Sequence, residues 1–149
     1  MTHSANAGSL LNPSVLWHEE RAEEPTLGLA VHAGHEVRPE LIPYLAIDEV
    51  TRVREEDPYS DYWVLSCGNR LFTRRSRFEV DLNRKRGEAI CVQPADCWNL
   101  RVWKDPIDGT LMERSLAEHD AFYRKYDGLL SEFGRRFGRF LVLDFHSYN

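Results

Sequence analysis

Two short apolar runs each lead straight into a histidine. Leu27-Gly28-Leu29-Ala30-Val31 delivers His32, and Phe140-Leu141-Val142-Leu143-Asp144-Phe145 delivers His146. Runs of this length and composition read as buried strands. In open α/β sheets, binding and catalytic groups gather outside the carboxyl ends of the strands. The two runs therefore predict an α/β fold with both imidazoles at one sheet edge. The final run is apolar on both faces apart from Asp144, which predicts a central strand covered by helices.

The rest of the chain is punctuated. Residues 1–25 are polar, with Asn12-Pro13 and the acidic Glu19-Glu20-Arg21-Ala22-Glu23-Glu24, and read as a lead-in carrying a small apolar clip at Val15, Leu16 and Trp17. Pro39 and Pro43 oppose a long helix after the first strand, and a turn or two of helix fits Ile47 to Arg54. Tyr62 to Ser66 reads as a second strand, closed by Cys67-Gly68-Asn69-Arg70, with Leu71-Phe72-Thr73 pairing back onto it. Phe78-Glu79-Val80-Asp81-Leu82 alternates as a half-buried strand does. Gly87 to Gly109 reads as a loop excursion with short strands. Residues 112–134 place Leu116, His119, Tyr123, Tyr126, Leu130 and Phe133 on one helical stripe, with Gly134 and Gly138 at its end.

With 149 residues the chain has one domain's worth of material. A net charge of −5 gives no general attraction to nucleic acid or anionic lipid. The basic cluster Arg70, Arg74, Arg75, Arg77, Arg84, Lys85 and Arg86 lacks the interleaved aromatics of a nucleic-acid surface. No apolar stretch approaches the roughly 20 residues that span a bilayer, and the N-terminus lacks the basic and apolar regions of a secretory signal. Cys67, Cys91 and Cys97 are odd in number and without zinc-knuckle spacing, so they read as reduced, buried thiols of a cytoplasmic protein.

Several residue types are suited to chemistry. Neutral imidazole is a common zinc ligand, and Ala33-Gly34 after His32 lets substrate or backbone come close. Strand alternation puts Asp144 and His146 on one face, where the carboxylate can orient the ring. A catalytic zinc usually has three protein ligands, so a third is needed, and Asp57 and Glu36 are the two contenders. His35 reads as a loop residue; His3, His18 and His119 read as bystanders. Arg77, Asn83 and Arg84 form an anion-recognition candidate, because an arginine fork matches a carboxylate bidentately and asparagine adds a neutral donor. The plain alternative for that segment is a solvated basic turn.

These motifs, in this order, resemble the N-formylglutamate amidohydrolases. The resemblance rests on His32-Ala33-Gly34 after a strand, Glu56-Asp57-Pro58-Tyr59, the segment Arg77 to Arg84 ending Asp81-Leu82-Asn83-Arg84, and Asp144-Phe145-His146-Ser147. It implies a mixed, largely parallel sheet flanked by helices, similar to that of zinc carboxypeptidases and aspartoacylases. It also implies that residues 26–149 are the N-terminal part of such a domain, incomplete at the C-terminus, because the relatives supply a catalytic glutamate from a later segment. His32, Asp57 and His146 are the implied metal ligands, with Glu36 as the alternative third. Arg77 is implied to polarise the scissile carbonyl, and Asn83 and Arg84 to grip the substrate carboxylate. The expected activity is zinc-dependent hydrolysis of an N-formyl or N-acyl amino acid, a small anionic substrate. The competing expectations are a binding module for an anionic amino acid or peptide terminus without turnover, and a fragment whose open sheet edge promotes association.

Overall fold

The computed structural model describes residues 16–147, so His3 and Val15 of the reading above lie outside the described residues. A mixed four-stranded sheet runs β1 (Trp17–Glu20), β3 (Asn69–Thr73), β2 (Thr26–Ala30), β4 (Leu141–Asp144) in spatial order. β2 is parallel to both β3 and β4, and β1 is antiparallel to β3. The polar lead-in thus carries an edge strand.

One long helix, α3 (Gly109–Phe137), covers one face of this sheet. Its first turn is capped by Asp108, whose side chain accepts from Thr110 N at 2.8 Å. Gly138, at a φ of +70°, ends it. The buried stripe Phe122, Leu129 and Phe133 packs on Leu27, Leu29, Val31 and Leu71. At roughly 25 cal/mol per Å² of apolar surface, burial of this kind is the main force that fixes the helix on the sheet. The helix extends three residues beyond the expected 112–134 at each end.

On the other face of β2 the glycine is required. A Cβ at Gly28 would lie 2.8 Å from Val64 Cγ2 and 2.9 Å from Cys67 Cβ. That close approach belongs to a helical segment where a strand was expected: α2 (Ser60–Trp63) followed by a 3-10 turn over Val64–Ser66. Of the apolar run Tyr62 to Leu65, only Val64 is buried, while Tyr62, Trp63 and Leu65 are exposed. β2 already has β3 and β4 as partners, so no strand position is left for this run.

Two further expectations are corrected. Phe78–Leu82 is not a strand but a series of turns, with Glu79 N and Val80 N both bonded to Ser76 O. All five residues are buried, because the polar ones face internal charges: Glu79 meets Arg38 Nε at 2.5 Å and Asp81 meets His32. Alternation misread them as a solvent face. β4 is not central. Among the described residues it has β2 as its single neighbour, and Leu141 and Leu143 are 54% and 38% exposed.

A second cluster, built on Leu41, Phe78, Val102 and Trp103, includes Cys91 and Cys97. These two were expected as free thiols and instead form a disulfide, their Cα atoms 5.9 Å apart across six residues. Neither the odd cysteine count nor the spacing signals that pairing. Cys67 is free and buried, as expected. Among the described residues, no helix is long and apolar enough to cross a membrane.

Candidate metal centre and substrate cavity

β2 ends at Ala30, and Val31 carries the chain out of the sheet so that His32 lies just beyond the strand end, 1% exposed. Gly34 explains the small residues that follow. A Cβ there would collide with the Arg74 carbonyl, and the chain continues beside β3 through paired bridges at Gly34–Ser76 and Glu36–Arg75. Close approach of backbone is therefore what Gly34 serves. β4 ends at Asp144, with Phe145 N donating to Leu29 O at 2.8 Å, and this register carries His146 to the same sheet edge. The two imidazole centroids are 5.1 Å apart.

Asp57 arrives from a strained turn. It follows α1 (Glu49–Glu55) at a φ of +49°, and Tyr59 two residues on is at +72°. Each such non-glycine residue costs on the order of 1–3 kcal/mol and persists only where its surroundings enforce it. Here Glu56 anchors the turn. Its buried carboxylate takes contacts from His35 Nδ1, Ser76 Oγ and Arg52 Nη1. Burial raises the Glu56 pKa.

Both imidazoles turn Nδ1 toward the same oxygen. Asp57 Oδ2 is 3.3 Å from His32 Nδ1 and 2.8 Å from His146 Nδ1. Each ring is backed at its other nitrogen by a second carboxylate: His32 Nε2 lies 2.7 Å from Asp81 Oδ1, and His146 Nε2 lies 3.1 Å from Asp144 Oδ2. One ligand atom from each of His32, Asp57 and His146 falls within 4.8 Å of the others.

Burial opposes the charged form of His32, but its bonds to Asp57 and Asp81 outweigh burial and raise its pKa above the ordinary 6.5. Burial also opposes ionisation of Asp57 and Asp81. The facing imidazoles and Arg77 overcome it and hold both carboxyls below the ordinary 3.8.

Around this cluster lies a cavity of about 400 Å³, lined by His32, Glu55, Asp57, Arg77, Asn83, Trp98, His146 and Ser147. Arg77 Nη1 reaches Asp57 at 3.2 Å and Glu55 O at 3.3 Å, while Nη2 reaches Asp81 at 3.1 Å. Its Nε is buried without a partner among the described residues, as is Ser147 Oγ. Such groups are uncommon in folded proteins, and among the described residues Ser60, Arg70 and His119 carry the others, away from this cavity.

The structure thus brings His32, Asp57, His146, Arg77 and Asn83 together. Arg84 stands behind the wall, with Nη1 on Asp96 O at 2.7 Å and its guanidinium over the Trp98 ring. Glu36 is elsewhere, exposed and paired with Arg74. Of the expected bystanders, His119 is buried and bonded to Arg84 O, and His18 stacks on Phe72.

Sequence reasoning gave Asp81 no role of its own, although it lies in the same Asp-Leu-Asn-Arg run as Asn83 and Arg84. It also passed over Trp98, for which the tryptophan-rich stretch after Gly87 was the available signal.

A family model described as N-formylglutamate amidohydrolase matches residues 24–149. Comparison with curated proteins and with solved structures gives no match. The family match covers strands β2, β3 and β4, the long helix and every residue of the cavity wall. The chain belongs to the N-formylglutamate amidohydrolase family and is, with it, a hydrolase.

Proposed function

We propose that the chain hydrolyses the amide bond of a small N-acyl amino acid, N-formylglutamate or a close analogue, at a zinc site made by His32, Asp57 and His146. The observation that carries this reading is the convergence of two Nδ1 atoms on one carboxylate oxygen, with a carboxylate behind each ring. Two imidazoles and one carboxylate are a common donor set for catalytic zinc, with a further position open. Outer carboxylates such as Asp81 and Asp144 fix the ring orientation and raise ligand basicity. A tetrahedral site with bonds of about 2.0–2.1 Å sets its donors about 3.4 Å apart, and Asp57 Oδ2 stands 3.3 and 2.8 Å from the two Nδ1 atoms.

When bound, the ion would polarise the amide carbonyl and lower the pKa of water for attack on the acyl carbon. Water supplies the oxygen, the C–N bond breaks, and the products are formate and the free amino acid. Arg77 lines the cavity, and its guanidinium, held by Asp57, Glu55 O and Asp81, is suited to face the oxygen of the polarised carbonyl. Asn83 lines the same cavity and supplies a neutral donor to the substrate carboxylate. Asp81 and Asp57 keep Arg77 fixed before substrate arrives, so no reorganisation is needed as charge develops.

The test is formate release from N-formyl-L-glutamate. Activity should vanish on exhaustive chelation and return with stoichiometric zinc. Activity that survives chelation undiminished would refute the metal assignment, and failure to release formate in the zinc-loaded protein would refute the reaction.

A further inference from the structure

The residues on both sides of Glu56 line the cavity, and Glu56 does not. Arg77 Nη1 donates to Glu55 O at 3.3 Å and to Asp57 Oδ1 at 3.2 Å, so one guanidinium nitrogen straddles the turn. The Glu56 side chain is buried behind the wall, where three segments reach its carboxylate. Ser76 Oγ–H donates to Oε1, Arg52 Nη1–H reaches Oε1 at 3.4 Å, and His35 Nδ1 meets Oε2.

Each contact lies beside a residue of the site. Ser76 directly precedes Arg77, His35 follows His32 by three residues, and Glu56 itself precedes Asp57. Ser76 is fully buried, its Oγ accepts from Phe78 N at 3.1 Å, and its backbone bridges Gly34 in the turn after His32. Arg52 closes the set from α1, where Nη1 also donates to His35 O at 2.9 Å. Buried polar networks whose members are all partnered fix a single arrangement. The turn that presents Asp57 needs such support. It is strained at two residues, with φ of +49° at Asp57 and +72° at Tyr59, and such conformations persist only where their surroundings enforce them.

We infer that Glu56 is a positioning residue: its carboxylate ties the His32 turn, the Asp57 turn and the Ser76-Arg77 segment into one frame, and so sets the metal donors and the Arg77 guanidinium at their mutual distances. The metal in this statement rests on the amide-hydrolysing reading above. A site of this kind works only where its groups are held within about 0.5 Å of the productive geometry. Glu56 supplies that precision from outside the cavity and touches neither substrate nor metal.

The experiment compares wild type with Glu56→Ala, Glu56→Gln and Phe133→Leu. Zinc affinity is read by competition with a chromophoric chelator, and stability by the urea midpoint. Glu56→Ala should bind zinc about tenfold more weakly. Glu56→Gln keeps the length, an acceptor for Ser76 and Arg52 and an N–H for His35 Nδ1, and should stay within about threefold of wild type. Phe133→Leu trims the core where Phe133 meets Phe137 and Phe140, before β4 begins. It shares no partner with the site, so it should lower the urea midpoint and leave zinc affinity within about twofold. Wild-type affinity in Glu56→Ala overturns the inference, as does an equal loss in Phe133→Leu. Should Glu56→Ala not fold, Ser76→Ala carries the test. It removes one of the three contacts and should weaken zinc binding, and unchanged affinity overturns the inference.

A second readout uses the metal-free protein. Long-range proton–nitrogen NMR at fixed pH reports the ring nitrogens of His32 and His146, both of which meet Asp57. Glu56→Ala should shift both sets of signals, and Phe133→Leu should leave them in place. If wild type binds no zinc but this pattern occurs, the metal assignment fails and the inference stands. If zinc binds and formate is released while Glu56→Ala keeps both affinity and ring signals, the inference fails and the reaction stands. If zinc is not bound and the ring signals do not move, both fall.

Discussion

Replacing Asp81 tests whether the second carboxylate layer matters. Its side chain is only 3% exposed and serves His32 Nε2 at 2.7 Å, Arg77 Nη2 at 3.1 Å, Arg84 Nε at 3.3 Å and Asn83 N at 2.9 Å. Asp81→Ala leaves a buried imidazole and a nearly buried guanidinium without their shared partner. Removing one side of a buried pair costs about 3–5 kcal/mol. For a chain of this size that is a fall in Tm of roughly 6–20 °C, at about 2–4 °C per kcal/mol. Asp81→Asn keeps the shape and one acceptor but not the charge. It should fold with a smaller loss and bind zinc about 10–100-fold more weakly. Urea unfolding of the metal-free protein measures the first quantity, and zinc competition against a chromophoric chelator measures the second. Loss of less than about 1 kcal/mol in Asp81→Ala, typical of a surface substitution, together with unchanged zinc affinity in Asp81→Asn, would refute the reasoning.

Other outcomes follow from the same geometry. Asp57→Ala should strongly lower zinc occupancy by elemental analysis, while Glu36→Ala, which removes only an exposed pair with Arg74, should not. Arg77→Ala should lower kcat more than it raises KM, because the guanidinium meets its partner charge in the transition state. Gly34→Ala should destabilise the fold, read as a lower urea midpoint, because its methyl collides with the Arg74 carbonyl. Burial outweighs Arg75 and Arg38 and raises the Glu79 pKa above the ordinary 4.5. The folded state therefore binds that proton more tightly, and the contribution is fully present below 4.5 and lost as pH rises through the folded value. Wild-type stability relative to Glu79→Gln should accordingly rise as pH falls from 7 toward 4, by at most about 1.4 kcal/mol per unit.

Much of this site was readable because its residues sit at strand ends. Apolar runs that stop at His32 and His146 locate both rings without any tertiary information, and Asp144 two residues before His146 announces its partner. The long helix was legible for the same reason: its stripe repeats over many turns. Buried charge defeated the pattern elsewhere. Glu79 and Asp81 look like the solvent face of a strand, yet each turns inward to a cation that comes from a distant segment. No local period encodes Arg38 or His32 as a partner. Tyr62 to Ser66 failed for another reason. Its composition suits a strand, but the sheet positions beside β2 belong to β3 and β4, and the space left by Gly28 is taken by Val64 and Cys67. Trp98 owes its place to a bridged loop and a positive φ, neither of which composition reports.

The central assignment is the identity of the metal donors, and zinc K-edge absorption on the zinc-loaded chain reads them directly. The expected spectrum has a first shell of nitrogen and oxygen at about 2.0–2.1 Å, with outer-shell scattering from two imidazole rings and no sulfur. His32→Ala and His146→Ala should each remove one ring from that signal. Sulfur scattering at about 2.3 Å, or a shell of light atoms without imidazole, would contradict it.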